Sequence, residues 1–191
     1  KLQYISDEYK DYNSLCLTDK RTNGTALVDF IRAINLATNV EEVTNTTNLP
    51  SVLGYIAVSS FLGCFDNAVG NGNNVYAFAD WYRLPVKEST IVQNYINLIP
   101  YNTSDAFGFS NCDIPLSYDE IINKDIMNPL CDESALEEFP LLSHLLRMEN
   151  VTEMYYDTLG LLLKYTTDES YINSFIDYTL YNINETVSEY S

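Results

Sequence analysis

Basic side chains are scarce. Lys and Arg number 10 against 27 Asp and Glu in 191 residues, a formal charge of −17. Neutralising phosphates requires cations this chain lacks, which excludes nucleic acid as a partner. An anionic membrane surface repels it for the same reason. Histidine is scarcer still, with His144 alone. Serine and cysteine nucleophiles ordinarily hand a proton to histidine. Ser143 is its sequence neighbour and points elsewhere on a helix, so the two form no dyad and His144 reads as structural. A lone histidine also rules out HExxH zinc chemistry, and the Glu-x-x-His step of di-iron bundles meets Leu141 where Glu is needed. No CxxC pair, GxGxxG or Walker sequence occurs; Gly70-Asn71-Gly72 is short and has no Lys beside it. A calcium loop begun at Asp66 puts Ala77 at the bidentate Glu position. Neither a cofactor nor a metal is therefore expected. The longest charge-free run, Val43 to Phe65, is apolar only from Val52, too short to cross a bilayer. No transmembrane segment is expected.

What is present points to a packed, secreted protein. With 46% hydrophobic residues, 6 Pro and 7 Gly the chain is neither disordered nor collagen-like, and a compact protein of this mass exposes roughly 9,000 Å². N-x-Ser/Thr acceptors occur at Asn23, Asn45, Asn102, Asn150 and Asn184, none with Pro between. The four cysteines Cys16, Cys64, Cys112 and Cys131 are even in number and widely spaced, as for two disulfides in an oxidising compartment. Three connectivities are open; shorter closed loops favour Cys16–Cys64 with Cys112–Cys131. No signal peptide is visible at Lys1, so the sequence reads as a mature chain from which one has been removed.

The pattern predicts an all-α or mainly α bundle in one globular domain, 1–191, with an irregular half 1–115 and a helical half 116–190. Ser117 to Glu120, Ser134 to Glu137 and Thr166 to Glu169 have capping-box spacing, and Asn150 to Glu153 is a near relative. Ile172, Phe175, Ile176, Thr179, Leu180, Ile183 and Val187 form one stripe of an amphipathic helix over roughly 168–188. Met154, Tyr155, Leu161, Leu162 and Tyr165 recur at helical spacing, with Gly160 as a close-packing point. Leu136, Leu141, Leu142, Leu145 and Leu146 form a third apolar face, started or kinked at Pro140. Leu27, Phe30, Ile31 and Ile34 predict a helix after Thr25, and Ile91, Val92, Tyr95, Ile96 and Leu98 another after Ser89. Residues 65–76 read as a loop, 75–84 as helix or strand, and 99–116 as an ordered loop pinned through Cys112.

With catalytic constellations missing, recognition remains. Sixteen tyrosines accompany one tryptophan, and Tyr is an efficient interface residue, large and amphipathic with few rotamers. Tyr171, Tyr178 and Tyr181 on the last helix, and Trp81 with Tyr82 in Asp80-Trp81-Tyr82-Arg83, are the candidate binding residues. The expectation is an extracellular, N-glycosylated, non-catalytic domain, secreted or at a cell surface, that recognises a protein through a basic patch on its partner. One alternative is an extracellular carrier of a small apolar ligand. A second is a carboxylate-dependent hydrolase using paired acids.

Overall fold

The computed structural model describes residues 1–12, 15, 24–86, 89–100, 117, 119–120, 123–166 and 168–190, with backbone alone for 81–86, 89–94 and 182–190. The chain is mainly helical. In order it forms a 3-10 turn at Tyr9–Asp11, then α1 (Thr25–Leu36), α2 (Val40–Thr44), α3 (Leu49–Phe61), β1 (Tyr76–Val86) and β2 (Ser89–Ile99). A broken run follows, made of a 3-10 helix at Glu133–Glu138, the single turn α4 (Pro140–Ser143) and a 3-10 turn at Leu145–Arg147; it leads into α5 (Glu149–Thr166) and α6 (Glu169–Tyr190).

Side-chain caps set several of these starts. Asn39 caps α2 by accepting from Glu42 N–H, while the Glu42 carboxylate accepts from Thr38 N–H at 2.8 Å. Asn48 caps α3, with Pro50 in its first turn, where no N–H is required. One of the anticipated capping boxes forms: Ser117 N–H donates to Glu120 at 2.7 Å and Glu120 N–H returns to Ser117 Oγ at 3.3 Å. At the next two the cap lies elsewhere. Asp132, not Ser134, accepts from Ser134 N–H, and Asp168 accepts from the N–H groups of Ser170 and Tyr171. Asp132 stands two residues before Ser134 and Asp168 two after Thr166, and in each place the carboxylate, the stronger acceptor, takes the orphan donors. Asn150 lies inside α5, whose start is at Glu149, so it is not a cap.

The core draws Val28, Phe30, Ile31 and Ile34 from α1, Val52, Leu53 and Ile56 from α3, Leu141, Leu142, Leu145 and Leu146 from the broken run, and Val151, Tyr155 and Leu159 from α5. The helix expected after Ser89 is instead β2, antiparallel to β1 with Ile96 opposite Ala79 and Leu98 opposite Ala77. Six of its eleven residues are β-branched or aromatic, and among its described side chains Ile96 and Leu98, two apart, enter the core. The hairpin joins the helices through Thr47, which bridges Ile96 in parallel; Ile96 N–H donates to Thr46 C=O and its carbonyl accepts from Asn48 N–H. The leucine-rich face at 136–146 is not one helix, because Pro140 leaves the preceding turn without a donor and three short turns result.

Residues 64–74 form the expected loop, organised by Asn67, a buried side chain. Its Oδ1 accepts from Val69 and Gly70 N–H, while Nδ2 donates to Cys64 C=O at 2.6 Å. A Cβ on Gly70 would run into the Phe65 backbone. At Gly160 a Cβ would meet nothing, so the close packing expected there is absent. Among the described residues no disulfide joins two cysteines; Cys64 is buried, and Cys16, Cys112 and the segment 101–116 lie outside the described residues.

Candidate functional site

The apolar positions of α5 include an inward row and an exposed row, and Tyr156 and Leu163 are exposed on the opposite flank. Val151, Tyr155 and Leu159, at i, i+4 and i+8, point into the core. Tyr155 is fully buried (0% exposed), and its hydroxyl donates to Ile126 C=O at 2.8 Å. Burial pushes that phenol's pKa up. Met154, Leu161 and Tyr165, at i, i+7 and i+11, form a second row that is exposed. The single face read from sequence is therefore two adjacent faces, about 100° apart around the helix. Only one of them is covered.

α6 carries this further. Its stripe was expected to face a bundle core, yet Phe175, Ile176 and Leu180 are exposed, as are Tyr171, Tyr178 and Tyr181. Exposure reaches 60% at Phe175 and 68% at Tyr178. The side chains of Ile183 and Val187 fall outside the described residues. Tyr171, Phe175 and Tyr178, at i, i+4 and i+7, share one side of the helix. The ring of Tyr171 stands 5.8 Å from that of Tyr165, tilted by 52°, so the outer row of α5 runs into the aromatic row of α6.

The surrounding charge has one sign. Between residues 149 and 190 the sequence has eight acids, Glu149, Glu153, Asp157, Asp168, Glu169, Asp177, Glu185 and Glu189, and one base, Lys164. Lys164 Nζ lies 5.9 Å from the Tyr165 ring centroid, an approach that suits a cation over a π face. Elsewhere Arg32 pairs with Asp7 and Asp29, Lys1 with Glu138, and Lys124 with Glu133.

The other candidates are placed as follows. Trp81 and Tyr82 belong to β1, remote in sequence from the helical ridge, and their side chains lie outside the described residues. Asn45, at the end of α2, and Asn150, in the first turn of α5, are both exposed. Asn184 is on α6; Asn23 and Asn102 are outside the described residues. Half-buried His144 sets Nε2 2.8 Å from Ala37 C=O, tying the end of α1 to the broken run. An open groove of about 390 Å³ is lined by Asp119, Glu120, Asn123, Lys124 and Glu133. Hydrogen bonds from Ser117 hold the Glu120 carboxyl below its usual range, the reverse of what a general acid requires. Among the described residues no group of three or more His, Cys, Asp or Glu is placed to hold a metal. Nor is any helix there long and apolar enough to cross a membrane.

No family model, curated protein or solved structure matches this chain. The residues that sequence reasoning missed are Met154, Leu161 and Tyr165. Their seven- and four-residue spacing was visible, but it was merged with the inward row one position away.

Proposed function

We propose that this chain is an extracellular, N-glycosylated, acidic helical domain, secreted or displayed at a cell surface, that acts without catalysis by binding another protein through a basic patch on that partner. The observation that carries the reading is the exposed aromatic ridge on α5 and α6 amid unbalanced negative charge. Buried apolar surface drives most protein association, and aromatic anchors with complementary charge give it strength and selectivity. The compartment reading draws support from the exposure of Asn45 and Asn150. The carrier and hydrolase readings draw less support: the acidic groove is open to solvent and lined by charge.

Two measurements test the proposal. Intact-mass analysis of native material, before and after enzymatic deglycosylation and without reductant, is expected to show glycan loss and fewer than four free thiols. Bare asparagines with four thiols overturn the compartment. The labelled glycoprotein is then expected to bind cell surfaces with an on-rate that falls as salt rises. A salt-independent on-rate overturns the basic partner.

A further inference from the structure

We infer that the ridge formed by Met154, Leu161, Tyr165, Tyr171, Phe175 and Tyr178 is a docking site for an amphipathic helix of a partner protein, one with an apolar stripe flanked by Lys and Arg. This rests on the recognition reading above and names its surface and the chemistry of its occupant.

Geometry selects a helix. The six side chains lie in rows at helical spacing, and the Tyr165–Tyr171 ring contact joins the rows across the turn between α5 and α6. From Tyr171 to Tyr178 the row runs about 10 Å along the axis, the length over which a partner helix presents anchors at i, i+3 or i+4, and i+7. Exposed large apolar side chains grouped at helical spacing on two consecutive helices mark an interaction surface better than singly scattered ones do.

Charge selects among occupants. The segment 149–190 bears eight acids and one base, and Lys164, the base, is set over Tyr165. A second copy would bring the same acids against these with no basic flank to answer them. An anionic lipid surface is repelled in the same way. A helix with a basic flank gains from every acid it meets, and its apolar stripe covers the exposed rings.

The test uses the intact glycosylated chain and three labelled 20-residue peptides: a Leu stripe flanked by Lys, the same stripe flanked by Glu, and a scramble of the Lys peptide with no stripe. Fluorescence anisotropy is expected to show binding of the first alone, weakened by about tenfold or more when salt rises from roughly 50 to 500 mM. Phe175→Asp and Tyr178→Asp are each expected to weaken it by about tenfold or more, with circular dichroism unchanged. Asp177→Lys is expected to weaken binding of the Lys peptide, and the Glu peptide is expected to stay unbound because seven acids remain against two bases. Equal binding of stripe and scramble, or indifference to both aspartate variants, overturns the inference. So does a concentration-dependent dimer in sedimentation equilibrium, or binding to neutral phosphatidylcholine vesicles, that Phe175→Asp abolishes. Cell-surface binding that survives Phe175→Asp sinks this surface and leaves the recognition reading standing. Peptide binding by a chain that binds no cell surface does the reverse.

Discussion

The rings of Tyr165 and Tyr171 meet across the turn that ends α5 and begins α6, 5.8 Å apart. On the same helix α5 the Tyr155 ring is sealed in the core, whereas Phe175 and Tyr178 on α6 face solvent. Aromatic residues on two consecutive helices thus have opposite roles, and stability measurements separate them. Phe175→Ser is expected to shift unfolding free energy by no more than about 0.5 kcal/mol, as exposed positions do. Tyr155→Ala is expected to cost about 3–5 kcal/mol through lost burial and an unfilled cavity. Tyr155→Phe is expected to cost about 1–3 kcal/mol, because it leaves the Ile126 carbonyl without its donor. Urea titrations of the three variants at one temperature check the order.

The loop at 64–74 depends on one side chain and one absent one. Asn67 closes it with two accepted hydrogen bonds and one donated, and Gly70 sits where any Cβ strikes the Phe65 backbone. Asn67→Ala is expected to lose about 1–3 kcal/mol, since the backbone groups it serves are buried. Gly70→Ala is expected to lose a similar amount through forced displacement. By contrast Gly160→Ala, in open space within α5, is expected to gain about 0.5–1 kcal/mol from helix propensity. Thermal melts distinguish the signs.

How far the sequence foretold this arrangement depends on what set each element. Helices whose apolar stripe enters the core were legible: Phe30, Ile31 and Ile34 on α1 behave as their spacing implies. The loop at 65–76 was legible from its Gly and Asn content. The strand β2 was not, because Ile91, Val92, Tyr95 and Ile96 satisfy helical spacing as well as they fill a strand. Its pairing with β1 and the Thr47–Ile96 bridge are long-range facts. Nor was the direction of α6 legible. A stripe states that a face is apolar, and not whether the same chain covers it. Tyr171 and Tyr178 were singled out from composition, whereas Met154 and Leu161 required knowing that Tyr155 turns inward with Val151 and Leu159.

The attachment of the hairpin to the helices is a further prediction. Asn48 caps α3 and donates from Nδ2 to Asn97 Oδ1 at 2.7 Å, while Ile96, the bridge partner of Thr47, lies in the core. Ile96→Ala is expected to cost about 2–5 kcal/mol. Asn48→Ala is expected to cost about 1–2 kcal/mol as a lost cap, together with its bond to the hairpin. In hydrogen exchange, Asn48→Ala is expected to speed the Ser51 amide, which Asn48 Oδ1 accepts from, and to leave the α5 amides protected. Uniform loss of protection through α5 would show instead that hairpin and helices open as one unit.

Acid acts on α6 through its first turn. Hydrogen bonds from the Ser170 hydroxyl, then from the N–H groups of Tyr171 and Ser170, hold the Asp168 carboxyl below its usual range. Its folded pKa therefore lies under the unfolded one, so the ionised cap contributes above the ordinary carboxylate value near about 4. That contribution is lost as pH falls through the lower, folded value. Relief of the chain's overall negative repulsion runs the other way over the same range, which makes global stability a poor reporter. The Ser170 and Tyr171 amide resonances are local reporters, and both are expected to move on acidification below about pH 4. Asp168→Asn keeps an acceptor and removes the titrating charge, so the same resonances are expected to stay fixed in that pH window. If they move equally in both proteins, the loosening of α6 originates elsewhere, and the ridge that Tyr171 continues is governed by a different group.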